Sequence, residues 1–315
     1  MTRPTKIAAA LVFLGILHGL ALFAGFLAPY PYAEQHRDFP YSPPTRIHWS
    51  RLQFLVHGRL FGVREPDVIF LLGSDAYGRD VFSRLLYGGR VSLLTGLLAA
   101  LLSLGLGLAL GTAAGFYGGW LDRLLMRAGE LVMALPWLYL LLAVRAFLPL
   151  HITTVQAFFL LVAIIGGVGW VRPARLIRGV VLAARERGFV LAARGFGASD
   201  AYLIRRHILP FTVGVLLTQA TVLIPQYILA EVALSFLGLG VGEPVPSWGN
   251  MLAEAQQYHA VVTHGWMLAP GLAMIPVLLG YLLLADTLLE KGDRRIIAPA
   301  GRARRAVQSR PPQPR

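Results

Sequence analysis

The residues from Val91 to Ala114 read VSLLTGLLAALLSLGLGLALGTAA, and none of their side chains is charged. A helix that crosses the hydrocarbon core of a bilayer needs about 20 apolar residues, so this stretch is long enough to do so. The whole chain is similarly apolar, because 56% of its residues are hydrophobic and only 14% are charged. About a quarter of the residues of a soluble domain are charged. The composition therefore predicts an all-α membrane protein rather than a soluble enzyme.

Five further stretches have comparable length, and three of them contain a charged residue. They are Ile7–Ala28, Leu131–Leu150 with Arg145, Ile152–Val171, Phe211–Phe236 with Glu231, and Trp266–Leu289 with Asp286. We therefore predict six transmembrane helices. The first is interpreted as an uncleaved anchor, since its apolar run exceeds that of a signal peptide and no small-x-small cleavage site follows it.

The spans divide the chain into three parts. Residues 1–90 are predicted to form the anchor helix and an external segment, and residues 91–289 a five-helix core with an inner loop at 172–210. The tail at 290–315 is rich in Arg and Pro and is predicted to be disordered. Contact of this tail with anionic lipid and a simple charge bias both explain its composition.

Basic residues predict the orientation of the spans. The termini and the loops at 115–130 and 172–210 share one side of the membrane, and that side carries 20 of the 29 Lys and Arg residues. The opposite side carries 8 in residues 29–90 and none in residues 237–265. Cytoplasmic loops are enriched in Lys and Arg, so both termini are expected in the cytoplasm. This distribution also explains the net charge of +13 without a nucleic-acid partner.

The motifs of several enzyme classes are missing from the sequence. The chain has no cysteine, and neither Lys6 nor Lys291 stands in a phosphate-binding Gly-x4-Gly-Lys-Ser/Thr loop. It also lacks a His-Glu-x-x-His motif and a Gly-x-Ser-x-Gly elbow. We therefore predict no catalytic residue, no metal site and no cofactor, and we favour a transport protein over a membrane enzyme.

The inner loop carries the most specific pattern. From Arg185 to Pro210 it reads RERGFVLAARGFGASDAYLIRRHILP. We predict that Gly197 ends one short helix and that Ser199 caps the next, with Asp200 at its positive end. Pro210 is expected to break the chain before the fifth span.

The surface of this loop allows two interpretations. The apolar side chains Leu182, Phe189, Ala193 and Phe196 recur at helical spacing and predict one apolar face. Small residues give a low surface that a partner can approach closely, with arginines beside it. They are Ala192, Ala193, Gly197 and Ala198, next to Arg187 and Arg194. The loop is therefore either a docking surface or an amphipathic helix that lies on the inner leaflet.

Four motifs resemble those of a known family. Ala192-Ala193-x3-Gly197, followed by His207-Ile-Leu-Pro210, resembles the EAA loop of ABC-transporter permeases. Three further stretches are similar to the dipeptide/oligopeptide/nickel importer branch: LGSDAYGRDVFSRLLYGGRVSL from Leu72, GFYGGWLDR from Gly115 and ILAEVALSFLGLGVGEPVPSWGNML from Ile228. Leu191 replaces the acidic residue of the EAA motif, and His207 stands where many members have Ile.

The resemblance implies a type I ABC importer permease of the C type, in which one N-terminal span precedes a five-span core. The implied partners are a second homologous permease, two cytoplasmic ABC ATPases that hydrolyse the ATP, an extracytoplasmic solute-binding protein and the membrane lipid. The implied location is the inner membrane of a bacterium or archaeon, and the implied solutes are di- or oligopeptides, with nickel and oligosaccharides left open. The implied ATPase-coupling residues are Arg187, Ala192, Ala193, Arg194, Gly197, Ala198, Ser199 and Asp200.

Charges inside the spans support a rival interpretation. Glu231 and Arg145 both fall near the outer side, where they either line the translocation pathway or form a structural ion pair. An ion-coupled secondary carrier would use Glu231, Arg145 and Asp286 as a proton relay, and a membrane scaffold without transport is a third possibility. The inner loop separates these classes, because a carrier has no need of a docking surface.

Overall fold

A computed structural model describes residues 3–45, 52–56, 59–63, 68–149, 152–256 and 262–308. Helices dominate the described chain, as the composition predicts. In order, they are α1 (Arg3–Leu22), α2 (Ala24–Leu27), α3 (Val81–Tyr117), α4 (Gly119–Ala134), α5 (Trp137–Ala146), α6 (Thr154–Val168), α7 (Val171–Arg185), α8 (Gly188–Gly195), α9 (Asp200–Tyr202), a π-helical turn (Leu203–Ile208), α10 (Leu209–Phe236), α11 (Trp248–Glu254), a 3₁₀ turn (Gly265–Leu268) and α12 (Ala269–Gln308).

The described helices account for the six predicted spans. Four helical stretches are long and apolar enough to cross a membrane alone: Thr5–Leu22, Val81–Tyr117, Asp200–Phe236 and Gly265–Leu288. The helix pairs α4–α5 and α6–α7 pass the same test together but bend by 95° and 44°. The count is six if each bent pair crosses once. Below, the inner end is the end of this bundle that carries residues 186–202, and the outer end carries residues 68–80 and 237–256.

The external segment departs from the all-α prediction in one place. Leu52–Val56 and Arg59–Val63 form a two-stranded antiparallel sheet, in which Leu52 pairs with Val63. This hairpin lies outside the spans, so the membrane part of the fold remains helical.

The second span begins ten residues earlier than its apolar run. Asp80 caps α3 by accepting a hydrogen bond of 2.8 Å from the N–H of Ser83. The two arginines that interrupt the apolar pattern here both have partners. Arg84 lies in an ion cluster described below, and Arg90 donates to the carbonyl of Leu22 at 2.7 Å. A count of apolar residues misses this extension because it treats each arginine as a helix end.

The third predicted span is broken rather than continuous. Leu135 has an extended backbone (φ −88°, ψ 140°) between α4 and α5, and Pro136 follows it. The residue before a proline is pushed out of the helical region, which explains the bend at this point. The fourth span bends between Val168 and Val171, and α7 then continues to Arg185. Part of the predicted inner loop is therefore a helical extension of that span.

Pro210 does not break the chain, contrary to the prediction. The helix runs on from Asp200 to Phe236, with π-helical geometry from Leu203 to Ile208. Here the N–H of Leu209 bonds to the carbonyl of Ile204, five residues back. Such a wider turn accommodates a proline, which has no N–H and clashes with the preceding turn of a regular helix.

Helix α3 is the centre of the bundle, and its glycines allow close packing. A Cβ added at Gly107 would lie 2.9 Å from Pro173 Cβ, and one added at Gly111 would lie 2.5 Å from the carbonyl oxygen of Ala174. Gly115 stands equally close to α7. Because α3 and α7 meet backbone to backbone, they form one rigid unit.

The last helix continues farther than predicted. Its backbone is helical as far as Gln308, although composition predicts disorder from residue 290. Ala and Arg are good helix formers, and the extension follows directly from the sixth span. Residues 309–315 of the tail lie outside the described residues.

Candidate functional site

The inner end carries a small helical knob built by local sequence signals. Helix α8 ends at Gly195, and Gly197 adopts φ +84°, which L side chains rarely adopt. The N–H of Ala198 then reaches back to the carbonyl of Ala193 at 3.1 Å, which closes the helix end. Ser199 caps the next turn by accepting from the N–H of Tyr202 at 3.3 Å. The predicted turn at Gly197 and cap at Ser199 are therefore confirmed.

The predicted apolar face of this loop is wrong. Phe189 is 47% exposed and Phe196 is 92% exposed, whereas Val190 is 1% exposed. The chain breaks between α7 and α8 at Glu186 and Arg187, so the helical phase restarts and a single period across both helices does not hold. The residues that anchor the knob form a small apolar cluster: Phe116, Ile177, Val181, Ala184, Val190, Leu203 and Ile208.

The predicted coupling residues lie on the knob, mostly on its surface. Exposed members are Arg187, Ala192, Arg194, Gly197, Ser199 and Asp200, while Ala193 and Ala198 are half-buried against the apolar cluster. Arg194 approaches Asp200 at 3.8 Å and lies over the ring of Phe116 at 5.3 Å from its centroid. Arg187 lies over Phe211 at 4.3 Å. The knob thus presents small and basic residues around an exposed aromatic ring.

Two contacts join α7, the helix that leads to the knob, to the rest of the bundle, and sequence reasoning missed both. The guanidinium of Arg178 on α7 makes two hydrogen bonds to the carboxylate of Asp122 on α4, one of them 2.6 Å long. Arg185, the last residue of α7, donates to the carbonyl of Gly115 at 3.0 Å. Asp122 belongs to the motif that starts at Gly115. Membership of this motif is the one sequence signal that marks Asp122, and it does not identify Arg178 as the partner. These contacts join α7 to both α3 and α4.

The two charges predicted near the pathway do not pair. Glu231 is fully buried and accepts from Ser235 Oγ at 2.6 Å, and its Oε2 has no hydrogen-bond partner within the described ranges. Arg145 donates instead to the carbonyl of Leu239 at 2.8 Å. Asp286 is exposed on α12. The ion pair, one of the two alternatives, does not form, because the guanidinium donates to the carbonyls of Leu239, Leu148 and Pro149.

The outer end holds an ion cluster that sequence reasoning also missed. Arg79 contacts Asp75 at 2.5 Å, Glu243 at 2.5 Å and Glu254 at 2.9 Å. Arg84, only 1% exposed, contacts Glu243 at 3.0 Å and Glu254 at 2.9 Å. Arg79, just before α3, and Arg84, in its first turn, thus bind two glutamates that lie about 160 to 175 positions later. We call these five residues the outer ion cluster.

A signal for this cluster exists in the sequence. Residues 237–265 contain two glutamates and no Lys or Arg, while in the motif that starts at Leu72 two arginines each follow an acid by four residues. Opposite excess charge in two segments on the same side of the membrane favours pairing. Arg79 and Arg84 belong to the stretch that resembles the family motif, and that resemblance does not name their charge partners.

Burial shifts the titration of the cluster. Burial raises the pKa of Glu254 to about 7, although attraction to Arg84 and Arg79 opposes the shift. Glu243 is half-exposed, so burial raises its pKa less than the two arginines lower it, and the pKa lies below its usual range. Nearby, burial raises the pKa of Asp80 to about 6 against hydrogen bonds from Ser83. The cluster thus holds three acids against two arginines, and Glu254 is the member that protonates most readily.

Comparison with known proteins identifies the family. A family described as "Binding-protein-dependent transport system inner membrane component" matches residues 107–297, which include the knob, α7 and the outer stretch around Glu243. The chain belongs to this family. It is a multi-pass permease subunit of an ABC importer in the inner membrane, of the dipeptide/oligopeptide/nickel branch.

The similar proteins cover nearly the whole permease. "Glutathione transport system permease protein GsiD" of Escherichia coli is 37% identical over 289 residues, which is 91% of this chain and 86% of the relative. The protein of the same name from Shigella boydii gives the same values. That of Shigella dysenteriae is 37% identical over 293 residues, 92% of this chain and 85% of the relative. The likeness therefore extends beyond the family region into the external segment.

Proposed function

We propose that this permease forms half of the translocation pathway for di- or oligopeptides, which an extracytoplasmic binding protein delivers. The similar permeases are described as parts of glutathione transport systems, and glutathione is itself a tripeptide. The motifs at Leu72, Gly115 and Ile228 are similar to the branch that takes peptides. Recognition of the solute then rests mainly on the binding protein, and the permease has to pass several related peptides.

The exposed knob supports coupling to ATPases. Phe196 is 92% exposed at its tip, and α8 rests on a small apolar cluster of its own. An exposed aromatic ring surrounded by small residues is typical of a surface that a partner protein covers. We propose that the turn from Gly197 to Ser199 seats in a cleft of one of two cytoplasmic ATPases. The ATPases hydrolyse ATP, and this chain transmits their movement.

The contacts between the knob and the bundle suggest how that movement spreads. ATP-driven closure would move α8, and α8 follows α7 after a short connection at Glu186 and Arg187. Helix α7 packs on α3 through glycines and is joined to α4 by Arg178 and Asp122. These helices therefore move as one body, and the bends after Ala134 and after Val168 are the natural hinges. A second, homologous permease would supply the opposite half of the pathway.

The orientation rests on charge. We propose that both termini and the knob are cytoplasmic, because 20 of the 29 basic residues fall in the segments that the sequence assigns to that side. A single cysteine at Ser199 and one at Gln35, both exposed positions, test this in a chain that has no other cysteine. An impermeant thiol reagent should label intact spheroplasts at position 35 only. Labelling at position 199 alone would reverse the topology.

The secondary-carrier alternative gains no support from the geometry. A proton relay needs its groups within hydrogen-bonding reach of one another, but Arg145 binds backbone carbonyls and Asp286 lies exposed on α12. Glu231 is fully buried and accepts from Ser235, and within the described residues no ion pair joins it to either of the other two charges. A relay through these three residues would require rearrangement of the bundle.

Peptide uptake tests the proposed function. Cells that carry the complete transporter are given a defined mixture of di- to pentapeptides, and uptake of each is followed by mass spectrometry. A strain without this chain, and one in which a partner ATPase is inactivated, serve as controls. We expect import of a subset of peptides that both controls lose. Import of no peptide above the deletion strain would reject the peptide substrate.

A further inference from the structure

A cavity lies where the helix breaks of the bundle meet. It has a volume of about 260 Å³ and is bordered by the α4–α5 bend, the α6–α7 bend and the part of α10 that contains Pro225. The lining residues that carry the argument are Leu135, Trp137, Gly169, Arg172, Gln226 and Tyr227. The movement proposed above, with hinges at the two bends, would change the shape of this cavity more than it would change the packing of α3 on α7.

The cavity lies within the depth of the membrane. Tyr227 is joined to Ser103 of α3 by a hydrogen bond of 2.9 Å between their hydroxyl groups. Ser103 is about 33 Å from the first residue of α3 and about 21 Å from the last, at about 1.5 Å per residue. The ring of Trp137 stacks on that of Tyr227 with centroids 5.9 Å apart. One wall is therefore fixed to the centre of the bundle.

Hydrogen-bond donors at this cavity lack protein partners. The Nε1 of Trp137 is buried without an acceptor in the described part of the chain. Arg172 is exposed, and no acidic side chain among the described residues forms an ion pair with it. An unsatisfied donor or charge at membrane depth is costly, so such groups normally face a water-filled path or a ligand. The two donors indicate that the cavity opens onto the translocation pathway.

The chemistry of the lining selects a class of group. A guanidinium, an indole N–H and the side-chain amide of Gln226 line the cavity, and no acidic side chain does. Arginine binds carboxylates through two parallel hydrogen bonds, while an indole N–H suits a carbonyl oxygen. The volume lies below the roughly 300 to 1,000 Å³ of a complete small-molecule pocket. It is consistent with one wall of a site that the second permease completes.

We propose that this cavity is a transit site for the C-terminal carboxylate and last peptide group of a transported peptide, with Arg172 as the carboxylate partner. This inference rests on the proposed peptide function and adds the end of the peptide that the permease contacts. The contact is a single ion pair at an exposed side chain. It guides the peptide without holding it tightly, as a pathway requires.

Uptake of matched peptides tests the proposal. The same peptide mixture is supplied once with free C-termini and once with C-terminal amides, to wild type and to Arg172→Gln. The binding protein is identical in both strains, so its own preference cancels when the variant is divided by the wild type. We expect Arg172→Gln to lower uptake of the free-acid peptides about tenfold, and uptake of the amides by much less.

Three further variants make the result specific. Arg175→Gln removes a neighbouring charge on the same helix that faces Glu130 at 3.7 Å and does not line the cavity, and it should leave the acid-to-amide ratio unchanged. If Arg172→Gln lowers the amount of transporter in the membrane, Arg172→Met provides a second neutral side chain with the same expected ratio. Arg172→Lys, which keeps the charge, should retain most of the preference.

The outcomes separate this proposal from the function beneath it. Equal loss for acids and amides in Arg172→Gln, or no loss of either, would overturn the carboxylate site while peptide import stands. Import of no peptide by the wild type would reject both the peptide function and the transit site. A selective loss for the free acids supports both.

Discussion

The outer end of this permease buries two arginines among acidic side chains, whereas the arginines of the inner knob are exposed. At the outer end Arg84 is 1% exposed and shares two glutamates and Asp75 with Arg79. At the inner end Arg187 and Arg194 are exposed and contact aromatic rings. A buried charge must be paired within the protein, whereas an exposed one remains available to a partner. The outer arginines therefore hold the fold together, and the inner arginines are placed to bind other subunits.

The largest difference between the ends should appear when one arginine is removed from each. Arg84→Leu leaves Glu254 and Glu243 with one cation and should destabilise the permease by about 3 to 5 kcal/mol, because an uncompensated buried charge remains. Arg187→Leu at the exposed inner end should change the free energy of unfolding by less than about 1 kcal/mol. Membrane abundance and thermal unfolding in detergent measure both. Equal stability of the two variants would contradict the comparison.

The contact between Asp122 of α4 and Arg178 of α7 provides a second test of the comparison. Asp122→Asn removes the charge that holds Arg178, so the permease should still bind its ATPases but couple poorly. We expect solute uptake to fall roughly tenfold, the effect of about 1.4 kcal/mol, with normal ATPase co-purification.

The matched control for this variant is Glu130→Gln, whose carboxylate approaches Arg127 and Arg175 only at 3.7 Å. It should change uptake little, since exposed pairs contribute little. The exchanged pair Asp122→Arg with Arg178→Asp should recover part of the uptake. Full uptake in Asp122→Asn would remove this contact from the coupling route.

A change of pH should alter the stability of the outer end in a direction set by its shifted pKa values. The pKa of Glu254 is raised to about 7, so the folded protein holds a proton that the unfolded chain releases above its ordinary pKa near 4.5. Through Glu254, stability at the outer end declines as the pH rises from about 4.5 to 7, whereas Glu243, with its lowered pKa, contributes stability that is lost as the pH falls below about 4.5. Asp80, with its pKa raised to about 6, contributes in the same direction at lower pH.

The pH effect is about 1 to 2 kcal/mol, since one pKa unit corresponds to about 1.4 kcal/mol and Glu254 is partly exposed. Unfolding in detergent at several pH values measures it. Glu254→Gln should flatten the upper part of the decline, between about pH 6 and 7. A steeper decline in Glu254→Gln than in wild type would show that the assigned direction is wrong.

The sequence predicted features that depend on neighbours along the chain. Gly197 and Ser199 were predicted correctly because a left-handed turn and a helix cap each need only a few adjacent residues. The six spans follow from local hydrophobicity. The bend at Pro136 was available from the same kind of signal, but the apolar run around it dominated the prediction.

The sequence could not show which distant charges meet. The sequence leaves open whether Arg145 pairs with Glu231, and in the structure its guanidinium binds the carbonyl of Leu239 instead. The contacts of Arg84 with Glu254 and of Asp122 with Arg178 join residues 170 and 56 positions apart. On each side of the membrane an arginine has several acids as possible partners. Only the way the helices pack determines which pairs form.

The central claim is that the inner knob transmits ATPase movement, and Gly197 tests it most directly. A Cβ at this position meets open space, but φ is +84°, so a bulky side chain both strains the turn and occupies the surface that an ATPase would cover. We predict that Gly197→Trp keeps normal membrane abundance and loses ATPase co-purification and solute uptake. Gly197→Asn, whose small side chain tolerates this backbone conformation, should retain both. Normal uptake and normal ATPase binding in Gly197→Trp would contradict the account.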